Sequence, residues 1–399
     1  MPSDFSPEFR FVCAACRWPR GPERDAAVRD AAEGIDWSRA AAIARRQRVW
    51  GLVDDAIRSA GLEPPPEVAT GFAQRGEANA RRNLIALAAT AQLGRAFDAA
   101  GIDWIGFKGL TLAVRAYGSL AVKMSNDIDL LVSEADTARA CSLIAEAGYR
   151  RFNPGPEIAD HQIEAWMKVC KETGWHHPQS GLIVELHGRM LANPALMPEA
   201  GLSAPRQRIV LAPGIDVPTL ADEILLPYLF VHGAHHGWFR LKWLADVAAW
   251  LAREPELVEQ RYEESRALGV GRAAAQAMLL AHKLLALPLD PAFEARLRAD
   301  PVHRRLVAIA LACMAGDFEL TEHANPAART MLPATLGALW LRRGLGYKWS
   351  ELVSLASNPT DRATGKLPPG LGFLYPVLGG VRWGARMTGL IGREAKKAA

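Results

Sequence analysis

The pattern of apolar and polar positions in residues 101–132 predicts a strand, a turn, a helix and a second strand. Residues 102–107 form a short apolar run that is typical of a buried strand. Lys108 and Gly109 predict a turn. The helix that follows should end at Gly118, because glycine tolerates the left-handed conformation that often follows a helix. We therefore expect the rest of the chain to be arranged around this unit.

The second strand of this unit carries two acidic residues, Asp127 and Asp129. Side chains two positions apart on a strand lie on the same face, so both carboxylates should project together while Ile128 and Leu130 point into a core. Two adjacent carboxylates repel each other, and Mg²⁺ (or Mn²⁺) would relieve that repulsion. The alternative interpretation is a pair of solvated carboxylates at the edge of a sheet, which needs no metal.

The turn before the helix has the features of a phosphate-binding turn. It leaves a strand and begins a helix, so backbone N–H groups and the positive end of the helix dipole should face a bound phosphate. Lys108 adds a mobile cation at the same place. We predict that Lys108, Gly109 and Leu110 bind the phosphates of a nucleotide.

The segments on either side of this unit give clear helix and hairpin signals. Asp36 or Ser38 should cap an Ala-rich helix that ends at Gly61. A long helix follows over about residues 66–100, and a capped helix begins at residues 133–136 and ends at Gly148. The long helix should carry an apolar stripe of Leu84, Leu87, Ala88 and Leu93. The remaining predictions are strands at 167–176 and 182–190 joined by a turn at 178–181, a hairpin at 202–218, and a helix capped by residues 219–222 and kinked at Pro227.

Two stretches, FKGLTLAVRAYG at 107–118 and NDIDLLV at 126–132, together resemble a bacterial family of uncharacterised nucleotidyltransferases. That family is part of the superfamily with the DNA-polymerase-beta-type fold, and the resemblance spans about residues 80–250. It implies an α+β fold, with a small mixed or antiparallel sheet and flanking helices. Leu110 departs from the superfamily pattern, in which a second glycine or a serine is usual.

The resemblance also implies a third carboxylate on a neighbouring antiparallel strand. In LIVELHGRM, at 182–190, Glu185 and His187 share one face of a predicted strand, and Glu185 has the matching place. It would complete a metal site with Asp127 and Asp129 and accept the proton of an attacking hydroxyl. The alternative is an edge-strand glutamate that pairs with a nearby cation, Arg189 or Lys171.

From these signals we expect four parts of the chain. They are an N-terminal helical region (1–97), a nucleotidyltransferase core (98–215), a C-terminal helical domain (216–345) with breaks at Pro288, Pro301 and Pro326, and a basic C-terminal tail (346–399). We predict that the tail forms a loosely packed helix, and the alternative is a helix that binds a membrane surface or a partner.

Two further groups of residues have the spacing of metal ligands. Cys13 and Cys16 are spaced as in zinc sites, but no second cysteine pair accompanies them, so partly buried thiols are favoured. His232 and His235 lie three residues apart on a predicted helix, with Asp246 following, which is a second zinc pattern. We favour instead a polar network of these three residues with Arg240 that holds the helical domain against the nucleotide cleft.

The composition indicates a globular protein, and the distribution of charge argues against one class of partner. The chain has 399 residues, of which 50% are hydrophobic and 23% charged, as in ordinary globular proteins. Its net charge of +4 resides in residues 367–399, so the main body is neutral, and a long nucleic acid is an unlikely partner. The five cysteines, an odd number, indicate free thiols in a reducing compartment, and the N-terminus does not resemble a signal peptide, so we expect a cytoplasmic protein. Because no run of eighteen apolar residues occurs, we expect no transmembrane segment.

The resemblance and the motifs together predict metal-dependent transfer of an NMP group from an NTP to a hydroxyl of a small-molecule, peptide or protein acceptor. Two alternatives remain open. The same site could transfer a phosphoryl or glycosyl group from an activated nucleotide. It could also be a catalytically inactive nucleotide-binding module with a regulatory role.

Overall fold

The computed structural model describes residues 5–125, 127–156, 158–168, 170–315 and 328–356. The predicted break at Pro326 and residues 357–399 of the predicted basic tail lie outside the described residues. The architecture is α+β, as expected, with a small mixed sheet surrounded by helices.

Five strands form the central sheet, and they are arranged in the order β1-β2-β5-β4-β3. Neighbouring strands are antiparallel except for β2 and β5, which are parallel. The expectation that the strand of Glu185 runs antiparallel to the strand of the two aspartates was therefore wrong. The chain leaves β2, crosses to the far edge as β3, and returns through two antiparallel pairings that give β5 the direction of β2. The strands are β1 Trp104–Gly106, β2 Asp127–Val132, β3 Arg150–Asn153, β4 Glu172–His176 and β5 Ile183–His187.

The strand predictions were right in position and too long at their ends. β4 and β5 form the hairpin expected around residues 178–181. The residues before β4 are not a strand, because a short helix, α8, continues to Met167. The second predicted hairpin is a separate two-stranded sheet. Its strands are β6 Arg206–Ala212 and β7 Ile215–Leu220.

Three helices pack on the two strands that carry the acids, β2 and β5. They are α5 Pro66–Ala99 and α6 Gly109–Tyr117 on β2, and α7 Thr137–Glu146 on β5, while α8 is Ile163–Met167. On α5 the predicted apolar stripe was half wrong, because Leu87 and Leu93 are buried while Leu84 and Ala88 are exposed. The buried face instead includes Asn79 and Asn83, whose side-chain amides donate to backbone carbonyls of residues 120–123. These bonds fix the loop that leads into β2.

The N-terminal helices are α1 Pro7–Ala15, α2 Pro22–Ala31, α3 Trp37–Gln47 and α4 Trp50–Ala60. Asp36 caps α3 through a 3.0 Å bond from the Arg39 amide, and Gly61 ends α4, both as expected. The predicted single Ala-rich helix is two helices, because Arg48 adopts a left-handed conformation with φ of 56° and ends α3. That break turns the basic residues at the end of α3 toward the C-terminal helices.

The C-terminal helices share one hydrophobic core with the N-terminal ones, and a second core lies between α5, the central sheet and α7. The helix α9 contains Pro227, as predicted, but it begins at Asp222, because Thr219 and Leu220 belong to β7. The domain limits themselves stay a prediction. The helices are α9 Asp222–His235, α10 Leu241–Arg253, α11 Val258–Ala267, α12 Gly271–Leu285, α13 Pro291–Ala299, α14 Pro301–Met314, α15 Ala328–Ala338 and α16 Leu345–Ala356.

Within the part of the chain that the structure describes, every helix is too short or too polar to cross a lipid bilayer.

Candidate functional site

The carboxylates come together because β2 and β5 are parallel neighbours. In their register Asp129 lies directly opposite Glu185, so the two side chains project from the same face of the sheet. Asp127, two residues before Asp129, lies at the start of β2 on that face. β5 lies between β2 and β4, so Glu185 is not on an edge strand, and that alternative was wrong. Asp129 and Glu185, 56 positions apart in sequence, are thus adjacent.

Asp129 is the most buried of the three acids, with 3% of its surface exposed. One of its carboxylate oxygens, Oδ1, lies 2.6 Å from Nζ of Lys108 and 3.2 Å from Nε2 of His187. Burial alone would raise the pKa of Asp129, but the Lys108 ammonium and the His187 ring outweigh it and hold that pKa well below its usual range. Asp129 is therefore ionised and already in contact with a cation of its own chain.

The predicted phosphate turn lies against the start of β2. Gly109 has φ of +57°, and a Cβ there would be 3.1 Å from the carbonyl oxygen of Asp127, so both conformation and space favour glycine. Leu110 has its side chain in the second hydrophobic core, which leaves its backbone N–H to contribute at the helix end. Lys108, Gly109, Leu110, Asp127 and Asp129 all line one small cleft between α6 and β2. All the predicted nucleotide-binding residues are therefore adjacent to the two aspartates.

Two residues that sequence reasoning did not assign join the site, His187 and Glu172. The fully buried imidazole of His187 has Nε2 3.6 Å from a Glu185 oxygen and Nδ1 3.3 Å from a Glu172 oxygen. His187 had a signal, since it shares a strand face with Glu185. Glu172 had none, because it reaches the site only through its register opposite His187 in the β4–β5 pair.

The two glutamates differ in their electrostatic surroundings. Burial raises the pKa of Glu185, and the charges of Asp129, Glu172 and Asp127 raise it further, against the opposing effect of the His187 ring 3.6 Å away. For Glu172, burial also acts to raise the pKa, but His187 and Lys171 prevail and lower it. Of these two glutamates, Glu185 thus has the higher affinity for a proton, which is the property a general base needs.

The donor set fits a divalent cation. Ligand atoms of Asp129, Glu185 and His187 all lie within 4.8 Å of one another, and among the described residues they form the one such group. Two carboxylates with an imidazole suit Mn²⁺ at least as well as Mg²⁺, which prefers oxygen ligands. Asp127, a predicted ligand, is not in this group, although it lines the same cleft. Cys13 and Cys16 are buried thiols outside it.

The helix α9 and the start of α10 carry a group of aromatic rings, the aromatic wall, which adjoins the carboxylate site through Phe107. The Tyr228 ring packs on Phe107, and His232 contacts Tyr228, His236 and Trp243. Burial and the Lys108 charge lower the pKa of His232. The His232 ring is therefore neutral at pH 7 and available for stacking.

The predicted network of four polar residues is not formed as such, because its members contact different partners. These residues are His232, His235, Arg240 and Asp246. Asp246 accepts from the Tyr117 hydroxyl at 2.9 Å and from Lys123 Nζ at 2.7 Å, which joins α10 to the core as expected. His235 instead contacts Glu351 at 3.1 Å, and Arg240 donates to the Arg46 carbonyl at 2.8 Å. The reason is that these side chains leave their helices in different directions.

Because Lys108 contacts Asp129, its removal is expected to have opposite effects on the affinity for a metal ion and on the affinity for NTP. Without Lys108, a divalent cation no longer competes with an ammonium for Asp129, so Lys108→Ala should tighten Mn²⁺ binding by about tenfold in the absence of nucleotide. The same variant should weaken NTP binding by about tenfold, because a phosphate loses its charged donor. Calorimetric titration of Mn²⁺ and, separately, of NTP measures both, and the exposed Lys168→Ala serves as control. Unchanged NTP affinity would remove Lys108 from the phosphate turn.

Comparison with known proteins identifies one family. A family described as uncharacterised nucleotidyltransferases matches residues 33–286, which is more than half of the chain and runs from the end of α2 to α12. Neither a curated protein nor a solved structure matches the chain significantly.

Proposed function

The chain belongs to the family of uncharacterised nucleotidyltransferases, and from this membership we propose that it transfers an NMP group from an NTP to a hydroxyl of a small molecule, peptide or protein in a metal-dependent reaction. The observation that carries the proposal is the register of β2 and β5, which sets Asp129 opposite Glu185 beside the phosphate turn. A turn for phosphates and a pair of acids of different proton affinity are the two parts that this reaction needs.

Each residue has a distinct role in the proposed reaction. The first N–H groups of α6 and the Lys108 ammonium bind the triphosphate and orient its α-phosphorus. Glu185 takes the proton of the acceptor hydroxyl as its oxygen attacks that phosphorus. The bond from the α-phosphorus to the bridging oxygen breaks, and pyrophosphate leaves. Asp129 and Glu185, with Asp127 or His187, would hold a divalent cation, which when bound supplies neutralisation of the phosphate charge.

The aromatic wall offers flat rings on which the base of a nucleotide could stack. His236 stacks on Trp243 with ring centroids 5.2 Å apart, and Phe239 meets Trp243 edge to face at 5.0 Å. Flat rings of this kind stack with a base at little cost in desolvation. The surface does not distinguish one base from another, so the choice of NTP is left to the experiment.

A specific contact favours a second candidate, an inactive nucleotide-binding module. The Lys108 ammonium neutralises Asp129 within the chain itself, at 2.6 Å, and a protein that only binds nucleotide could keep that pair. The two candidates differ in one respect, since the module binds NTP and releases it unchanged.

The test is transfer of label from NTPs to the pool of molecules in a cell extract, followed by mass spectrometry. With Mn²⁺ or Mg²⁺ present, we expect the α-phosphate label to appear in product together with a mass gain of one NMP, and the γ-phosphate label to leave with pyrophosphate. Transfer of the γ-label would identify a phosphoryl transferase instead, and transfer of a sugar from a sugar nucleotide a glycosyl transferase. Calorimetric NTP binding without any transfer would favour the inactive module.

A further inference from the structure

Four cations from distant parts of the sequence lie together near the cleft. Arg46 and Arg48 stand at the end of α3, while Arg240 and Lys242 stand at the start of α10. The Arg240 guanidinium donates to the Arg46 carbonyl at 2.8 Å, and the guanidinium carbons of Arg46 and Arg240 each lie 5.5 Å from the centre of the Phe239 ring. We call these four residues the basic cluster.

The two arginines Arg46 and Arg240 of the basic cluster are buried without a counter-charge, while Arg48 and Lys242 are half-buried. Arg46 is 2% exposed and Arg240 is 6% exposed, and Nε and Nη1 of Arg46 are buried without a hydrogen-bond partner. Over the described ranges, no carboxylate forms an ion pair with any of the four residues. Other buried cations behave differently. Arg24 contacts Asp55 at 3.0 Å, and Lys123 contacts Asp246 at 2.7 Å.

Burial and mutual repulsion act on the charges of the cluster. Burial, then the charges of Arg48 and Arg46, lower the pKa of Arg240 to about 9. Burial lowers the pKa of Lys242 to about 8, although Asp127 acts to raise it. Unpaired buried cations are costly, and an anion that accepts hydrogen bonds from them removes that cost. We therefore expect an anion to bind favourably to the basic cluster of the folded protein.

The basic cluster adjoins the carboxylate site. Among the carboxylates that act on Lys242, Asp127 has the largest effect, and Lys242 directly precedes Trp243 of the aromatic wall. An anion bound here is thus close to Asp127 of the carboxylate site. Phosphate suits the donors chemically, because guanidinium groups bind its oxygens with two parallel hydrogen bonds.

We propose that the basic cluster is a second anion site, which binds a phosphate group of a substrate other than the phosphate under attack. Its use by a substrate rests on the proposed function, whereas the binding of phosphate does not. The phosphate could belong to the NTP, as its terminal group, or to the acceptor, which would then be a phosphorylated molecule. Both sources share the same chemistry at these residues.

The test measures anion binding in EDTA, without turnover. We expect inorganic phosphate, pyrophosphate and tripolyphosphate to raise the Tm of the wild-type protein, and calorimetry to show an affinity that falls at least tenfold in Arg46→Gln and in Lys242→Gln. The control is Arg81→Gln, which removes one exposed cation from α5 and should leave the affinity unchanged.

Stability without ligand provides a further check. Because Arg46 is buried without a counter-charge, Arg46→Gln should have a Tm equal to or above that of the wild type, and Lys242→Gln, at a half-buried residue, should fold normally. A purely structural arginine would lower the Tm and leave the response to phosphate unchanged. If all three anions bind equally to the wild type and both variants, or bind to none of them, the second anion site is wrong.

Nucleotides then identify the source of the phosphate. If the variants bind NTP more weakly but NMP normally, the site holds the terminal phosphate of the NTP. If they bind NTP as the wild type does and lose only the inorganic anions, the site belongs to a phosphorylated acceptor. Loss of anion binding in the variants, together with absence of label transfer by the wild type, would retain this site and reject the proposed function. Label transfer by the wild type, together with equal anion binding by the wild type and the variants, would retain the proposed function and reject this site.

Discussion

Asp129→Asn is expected to abolish nucleotidyl transfer and to destabilise the protein, whereas Asp127→Asn should abolish transfer alone. Loss of either carboxylate removes charge that would hold the divalent cation, so we expect turnover to fall by more than about 10³-fold in each variant. The two residues differ in what else they contact. Asp129 is buried against Lys108 and His187, while Asp127 is half-buried at the start of its strand.

The stability difference follows from the Lys108–Asp129 pair. Its side chains are 16% and 1% exposed, so Asp129→Asn leaves a largely buried ammonium without its closest counter-charge. Breaking a buried pair in this way costs roughly 3 kcal/mol of unfolding free energy. Denaturant unfolding of both variants measures the cost. The double variant Lys108→Met/Asp129→Asn removes both charges, and we expect it to recover most of the stability and to stay inactive.

The same pair of variants decides which residue completes the metal site. The group with suitable geometry contains Asp129, Glu185 and His187, and the predicted ligand Asp127 lies outside it. If Asp127→Asn retained more than about a tenth of wild-type turnover, Asp127 would be an accessory to phosphate binding and His187 the third ligand. Activity retained by Asp129→Asn would contradict the metal site as a whole.

Glu185→Gln is expected to slow the chemical step by roughly 10² to 10⁴ while NTP binding changes little. Glutamine keeps the shape of the side chain and can still bond with His187, but it cannot accept the proton of the acceptor hydroxyl. The measurement is single-turnover product formation at saturating NTP and metal, beside a melting curve. Because Glu185 lies between β2 and β4 with part of its side chain exposed, the fold should be retained.

A matched control is available on the next strand. Glu172 lies opposite His187 and is as exposed as Glu185 is, but it pairs with Lys171 and carries no assigned proton transfer. Glu172→Gln should therefore change the rate by less than about tenfold. If Glu185→Gln had a rate within about threefold of wild type, the general base would have to be another group, and the inactive-module candidate would gain weight.

Local patterns in the sequence determined the central unit of this protein. The alternation of residues 127–132 gave β2 and its buried face, and the turn at Lys108 and Gly109 with the end at Gly118 gave α6. These predictions were right because strand faces and helix ends depend on residues two to four positions apart. The same locality explains the hairpins, since turn residues bring neighbouring strands together.

The ends of helices were less well predicted, because they also depend on packing against helices that are distant in the sequence. The Ala-rich pattern before Gly61 continues through Arg48, yet the chain breaks there in a left-handed conformation. Nothing in the helical propensity of an arginine signals this break. The packing of the N-terminal helices on the C-terminal ones, in one shared core, selects it.

Only the tertiary structure decided which charges meet. The register of β2 and β5 brings Glu185 and His187 to Asp129, and the pairing of β5 with β4 adds Glu172 to the site. Arg46 and Arg240 are 194 residues apart in sequence, and their contact depends on how α3 packs against the start of α10. A single sequence shows which residues can carry charge, but pairings over such separations follow from the burial of whole helices and strands. The sequence therefore determined the elements and two of the acids, while packing decided the complete site and its neighbouring cations.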